Sequence, residues 1–283
     1  MRDSIDTVGI IGITHPWPIA ALAGESLSDI EAAVYSSILR NMLVALLGVV
    51  FAMAEPTLLA GDTVAWETES HLMVLALGPS TELQLQPRTA SDPWPTAWPP
   101  ETIAVINAGY VDHLGKPTGW RVIEGTATQT IAPDPVQSGI AWLADGSTLR
   151  LSWRKDLPER PRFALQSGPF LIDPGGTLGI NRPAGPLARR SALAVTSEGT
   201  SLVIISPVAV TLRAFAEAIQ RLPAQIGVTD ITAALNLDGG PATAMTIPGH
   251  PEWTVRPSGP IADVWMLIKR PPPIPAQIQR QSD

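Results

Sequence analysis

From Gly61 to Gln86 apolar and polar residues alternate in short runs: Thr63-Val64-Ala65-Trp66, Leu72-Met73-Val74-Leu75-Ala76-Leu77 and Leu83-Gln84-Leu85-Gln86. A period of two predicts β-strands. Ile103-Ala104-Val105-Ile106, Ala164 to Ile172, Ala192 to Thr196, Ser201 to Ser206 and Ile231 to Leu235 are short apolar runs that predict further strands. Ile140-Ala141-Trp142-Leu143 and Thr148-Leu149-Arg150-Leu151 flank Ala144-Asp145-Gly146-Ser147, a hairpin signal. The period changes once. In Thr211 to Leu222 the apolar residues Leu212, Phe215, Ala216, Ile219 and Leu222 recur at helical spacing, and Pro223 is expected to stop the helix. Strand, helix and strand then make one βαβ-like unit. The predicted class is α+β, a mixed, strand-rich sheet with a few flanking helices. It forms a single main domain over residues 55–270, followed by a disordered Pro-rich tail over 271–283.

The apolar run from Met42 to Ala54 is of another kind. Arg40 precedes it, Ala52-Met53-Ala54 closes it and Glu55-Pro56 follow. A charge, an apolar run of about 7–15 residues and an A-x-A pattern are the marks of a secretory signal. The run is short for a membrane span, and a buried core helix is the competing reading. Residues 1–54 are therefore expected to be an N-terminal extension and signal peptide that adds nothing to the fold, with the true start nearer Met42 as one alternative. The expected location is secreted or periplasmic. The mature chain is not expected to be an integral membrane protein.

Composition narrows the chemistry. Of 283 residues, 45% are hydrophobic, enough for a sizeable core, and the 29 prolines favour turns over long helices. A net charge of −7 argues against a nucleic-acid partner, which needs a basic face. The absence of Cys excludes disulfides, zinc–thiolate sites and thiol nucleophiles. No HExxH, P-loop, EF-hand or G-x-S-x-G pattern occurs. Nine Trp residues could line a sugar surface or fill the core.

Candidate chemistry sits at strand ends. The clearest instance is Asn236-Leu237-Asp238-Gly239-Gly240, directly after an apolar strand. A carboxylate on the lip of a glycine turn is held by the strand yet open to solvent. A plain Asp-Gly turn is the competing reading. Asn107-Ala108-Gly109-Tyr110, Gln166-Ser167-Gly168-Pro169 and Arg189-Arg190-Ser191-Ala192 also end or interrupt apolar runs. Their order and type together resemble the phosphodiester glycosidase family, over roughly residues 60 to 270. Val111 to Gly119, with Gly115-Lys116-Pro117-Thr118-Gly119, fits the same pattern, and the helix falls where the family places one. The resemblance implies hydrolysis of a sugar-1-phosphodiester of the N-acetylglucosamine-1-phosphate type. In three places the chain departs from the pattern: Pro241 stands for Gly, Ala242 for Ser and Ala194 for Gly.

On that resemblance Asp238, Arg190 and Asn107 are the expected catalytic residues. A guanidinium matches phosphate oxygens, and strand alternation lets only one of Arg189 and Arg190 face the site; the motif selects Arg190. Asp238 suits a base, nucleophile or electrostatic stabiliser, and Asn107 a partner for a sugar hydroxyl or acetamido group. Their competing readings are a turn cap for Asp238, a strand-end ion pair for Arg190 and a turn residue for Asn107. Substrate binding is expected at Gly109, Tyr110, Asp112, Gln166, Gly168, Gly239, Gly240 and Thr243. The N–H groups of Gly109, Gly239 and Gly240 would form an anion nest, and the Thr243 hydroxyl would stand in for the one lost at Ala242. Asp112 and Asp173 are the candidates for a second carboxylate; His113 is a loop alternative. No cofactor is expected; a divalent cation at Asp238 is conceivable, but no sequence feature indicates one. The expected partner is a carbohydrate or sugar phosphodiester. A catalytically weakened member that binds envelope polysaccharide and a structural envelope protein without a ligand are the other two readings.

Overall fold

A computed structural model of the protein describes residues 54–90, 92–145 and 148–270. The signal-peptide run, apart from Ala54, the segment before it and the Pro-rich tail lie outside the described residues, as do Gly146 and Ser147 of the predicted hairpin turn. The described residues all belong to one compact unit.

Three sheets carry the fold. With strands numbered in chain order, β1 (Thr57–Leu58), β2 (Val64–Glu67), β3 (Met73–Ala76), β13 (Ser201–Val210), β12 (Ala188–Thr196), β14 (Ile231–Asn236) and β11 (Phe170–Ile172) lie side by side in that order. A second sheet runs β16 (His250–Val255), β15 (Met245–Ile247), β5 (Thr102–Asn107), β17 (Asp263–Lys269) and β4 (Thr81–Pro87). A third runs β7 (Thr126–Gln129), β6 (Arg121–Ile123), β10 (Phe163–Ser167), β8 (Gly139–Leu143) and β9 (Arg150–Trp153). The α+β class holds, and the ladders within the sheets are antiparallel. The strand–helix–strand unit is present in split form. β13 and β14 run in the same direction, but each bonds to β12, which lies between them.

Alternation sorts the side chains of the seven-stranded sheet. Leu193, Val203, Ile205 and Leu235 enter a large core shared with Leu85, Ile106 and Trp265 of the second sheet and Leu165 of the third. Ala192, Ala194, Leu202, Ile204 and Ala234 face the other way, against Phe215, Ile219 and Leu222 of the helix. That helix, α1 (Leu212–Ile226), is capped by Thr211, whose hydroxyl accepts the Ala214 N–H at 3.1 Å. Pro223 does not stop it. The helix continues one turn to Ile226, which is buried, and ends at Gly227 in the left-handed region (φ 70°) with its N–H on Pro223 O at 3.1 Å. Burying an isoleucine, about 1.5–3 kcal/mol, together with this cap, offsets the one hydrogen bond the proline lacks.

A buried ion pair ties the third sheet to the second. Arg121 of β6 donates through Nη1 to Asp263 Oδ1 of β17 at 2.5 Å, and Asp263 is 1% exposed. Burial raises the Asp263 pKa to about 6 against the opposing pull of Arg121. Removing one partner strands the other charge. Arg121→Met is expected to lose about 3–5 kcal/mol of stability, and Arg121→Met/Asp263→Leu to regain most of it. Denaturant melts of the two variants would check this; equal stability of the single and double variants would contradict it.

Candidate functional site

The turns singled out in the sequence meet at one place, and a lattice of side-chain hydrogen bonds holds them together. Asn107, at the end of β5, donates through Nδ2 to Asp238 O at 2.7 Å. Its Oδ1 accepts from Ser191 Oγ (2.9 Å) and Ala244 N–H (3.1 Å). Ser191 Oγ is also 2.8 Å from Asp238 O, and the Asp238 N–H bonds Ala108 O at 3.1 Å. Both backbone groups of Asp238 are thus fixed from β5 and β12. Asn107 is 1% exposed and engages both its amide oxygen and its amide nitrogen in this bracket, so it positions Asp238.

A second bracket joins Tyr110 to the 166–169 turn. Tyr110 Oη donates to Gly168 O at 2.5 Å and accepts from Asn236 Nδ2 at 2.9 Å; Asn236 Nδ2 also lies 3.1 Å from Gly168 O. Gly168 has φ 148°, and a Cβ there would sit 2.2 Å from Val136 O. Only glycine fits. Gln166 is fully buried. Its Oε1 accepts the N–H groups of Trp120 and Ala132, and its Nε2 donates to Ala132 O and Gln137 O, all at 2.9 Å. With every polar position used, Gln166 pins the loop over residues 130–138 and has nothing left for substrate. Gly109 is buried, and a Cβ there would come within 2.9 Å of Leu165, so close packing requires its lack of a side chain.

Arg190 is 8% exposed. Its Nε donates to Val210 O (3.2 Å) and its Nη2 to Pro186 O (2.7 Å), so carbonyls hold it in place of a carboxylate. Nη1 lies 3.7 Å from the point where a Gly239 Cβ would stand, beside the Asp238 turn. Burial lowers the Arg190 pKa and Tyr110 opposes that shift; a guanidinium stays charged regardless. Arg189 turns elsewhere, donating to Arg256 O at 3.0 Å.

The Asp238 carboxylate is half-buried. Among the described residues it accepts one hydrogen bond, from the Gly239 N–H to Oδ1 at 2.8 Å. Burial raises its pKa to about 6, and the Gly239 bond pulls weakly the other way. Tyr110 is driven far above the usual phenol range, chiefly by burial and then by the charge of Asp238, with Arg190 opposing. Tyr110 therefore lies in the fields of both Asp238 and Arg190.

Several expected ligands have other duties. The Gly239 N–H belongs to Asp238, which removes it from an anion nest. Gly240 has φ 58° and opens a short 3-10 turn over Gly240–Ala242. Thr243 is fully buried, and its hydroxyl has no partner among the described residues, so it does not replace a hydroxyl on the open side. Asp112 caps its own turn: Oδ1 accepts Leu114 N–H (2.8 Å) and Lys116 N–H (2.9 Å), and the Lys116 bond lowers its pKa. Asp173 sits by Thr232, at the start of β14, while Asp238 follows its end; the two are roughly 20 Å apart along the strand. His113 is exposed. A carboxylate that the sequence does not single out, Asp134, adds to the field on Tyr110. Among the described residues no group of three His, Asp or Glu side chains is placed to hold a metal ion.

The family model for phosphodiester glycosidases matches residues 100–268, more than half of the chain. The chain belongs to the phosphodiester glycosidase family. The match spans all the turns that gather around Asp238 and Arg190. Among solved structures, the chain is similar to the catalytic domain of zebrafish N-acetylglucosamine-1-phosphodiester alpha-N-acetylglucosaminidase, auto-inhibited by its pro-peptide, with a TM-score of 0.51 and 14% identity over 77% of this chain and 82% of that one. A hypothetical protein from Synechocystis follows with a TM-score of 0.44 and 14% identity, over 77% of this chain and 61% of that one. No curated protein sequence matches the chain.

Within this family frame the departures from the motif have local explanations. Ala194 is fully buried in the cluster under α1, away from Asp238. Pro241 accepts the N–H groups of Ser258 (2.8 Å) and Gly259 (3.1 Å), and a Cβ on Gly259 would lie 2.7 Å from the Pro241 ring. Pro241 and Gly259 are thus a matched pair. Ala242 is 5% exposed and packs in a small core with Val105 and Val264. Trp residues mostly pack: Trp265 is fully buried, Trp153 meets Phe170 edge-on, and Trp94 is covered by Trp98 and Arg88.

Proposed function

We propose that this chain is an exported glycosidase that hydrolyses a sugar-1-phosphodiester of the N-acetylglucosamine-1-phosphate type, releasing free sugar and a phosphomonoester. The observation that carries this reading is the pairing of a half-buried carboxylate, Asp238, whose pKa is raised to about 6, with a buried guanidinium beside its turn. Arg190 takes the phosphate oxygens. Asp238 in its ionised form supports the positive charge that develops at the anomeric carbon, or activates the water that attacks there. Asn107 and Ser191 hold the Asp238 backbone, and Tyr110 and Asn236 lock the neighbouring turn. Screening the purified protein against sugar-1-phosphodiesters, with and without chelator, tests this. Turnover unaffected by chelator is expected. A complete lack of turnover would turn the assignment toward glycan binding.

That second reading, a weakened member that binds envelope polysaccharide, is favoured by Ala242 and Thr243: one has no hydroxyl and the other buries its own. Export is proposed from the run Met42–Ala54 with Ala52-Met53-Ala54 at its end. No helix among the described residues is long and apolar enough to cross a membrane. N-terminal sequencing of the protein recovered outside the cytoplasm is expected to begin near Glu55. A protein that stays in the cytoplasm with residues 1–54 attached would overturn the export proposal.

A further inference from the structure

The carbonyls that hold Arg190 belong to an exposed, uncharged stretch. Nη2 is bonded to Pro186 and Nε to Val210. Beside them Leu187 is 69% exposed and Val208 43% exposed. Strand pairing brings these residues together. Ala188 lies opposite Val210 and Arg190 opposite Ser206, so Pro207, Val208 and Ala209 of β13 bulge out against Arg189 alone. Bulges of this kind re-aim side chains next to functional sites. From Pro186 a cleft of about 390 Å³ continues past Ile180 and Leu212, with Asn181, Arg182 and Arg213 on its wall. Arg213 is already engaged by Glu217 and Ile180 O.

We propose that the alcohol part of the phosphodiester is a hydrocarbon chain, laid over Leu187 and Val208 and into the cleft at Pro186. This rests on the reading that Arg190 binds the phosphate. The surface sets exposed apolar side chains one and two residues from the carbonyls that hold a buried cation, which is the complement of an amphiphile whose headgroup is a phosphate. Over Leu187 and Val208 a second sugar as the leaving alcohol would find no side-chain hydrogen-bond partner for its hydroxyls; Asn181 and Arg182 on the cleft wall are the polar exceptions. The hydrocarbon instead removes apolar surface from water on both sides.

The product side of the reaction supplies the probes. Methyl phosphate and octyl phosphate, below its aggregation limit, are titrated calorimetrically into the full chain. Octyl phosphate is expected to bind at least roughly tenfold more tightly, the scale of two or three buried methylenes. Leu187→Ser/Val208→Ser is expected to abolish that preference while leaving methyl phosphate affinity and the melting temperature unchanged. Equal affinity for the two phosphates in the native protein, or a preference that survives the double substitution, overturns the hydrocarbon assignment and leaves the phosphate site standing. Loss of self-association in the double variant with unchanged octyl phosphate affinity overturns it too and gives the patch to a second copy of the chain. If neither phosphate binds, the reading of Arg190 falls and the hydrocarbon proposal with it.

Discussion

Asp238→Asn is expected to fold, to bind sugar phosphate and to lose about 10²–10⁴-fold in turnover, the usual cost of removing a positioned acid–base group. The substitution separates two roles. An asparagine Oδ1 accepts the Gly239 N–H as the carboxylate does, so a mere turn cap survives the change. Only the charge and the proton affinity are lost. Because Asp238 acts ionised and its pKa is raised to about 6, wild-type turnover should climb as pH rises through about 6 and then level off. Stability runs the other way. A carboxyl whose folded pKa is raised contributes stability that is fully present below its unfolded pKa and lost as pH rises through the folded value. At neutral pH the ionised group therefore costs on the order of 1–2 kcal/mol after allowance for its partial exposure. Asp238→Asn should melt above wild type at pH 7 and close to it at pH 4. Full turnover in the variant would make Asp238 a cap and end the mechanism.

The distribution of these roles explains how far the sequence could be read. Strands with one buried face, such as β4 with its Leu83-Gln84-Leu85-Gln86, announce themselves by alternation. The helix does so by its spacing and its Thr211 cap. β17 is buried on both faces from Asp263 to Leu267, lacks alternation and so escapes the period-two reading. Pro223 misleads because tertiary burial of Ile226 outweighs the local penalty. At the site, the residue types at strand ends and their order along the chain were legible. What each amide does was not. Asn107 and Gln166 carry the hydrogen-bonding capacity to meet a sugar, but their partners come from segments at least 29 residues away in sequence. Ser191 and Asn236, which complete the brackets, lie within the quoted motifs, yet nothing in the sequence separates a bracket from a ligand. Asp134 gives no signal at all, since it is one acid in a proline-rich loop.

Arg190→Ala should weaken binding of a sugar-1-phosphodiester by about 10–100-fold, the scale of a charge-assisted hydrogen bond or a bidentate pair. The free sugar should bind within about twofold of wild type, since no role toward the sugar hydroxyls is assigned to this guanidinium. The residue is also a structural clamp on Pro186 and Val210, so the alanine variant risks loosening the β12–β13 bulge. Arg190→Lys keeps the charge and most of the stem. It cannot hold two carbonyls and offer a planar fork to phosphate together, so it should recover thermal stability better than affinity. Calorimetry on phosphodiester and free sugar, with melts of both variants, separates the two functions. If phosphodiester and free sugar lose affinity equally, Arg190 acts through the fold alone. If Arg190→Lys restores binding fully, charge is sufficient and the fork geometry beside Gly239 has no part in recognition.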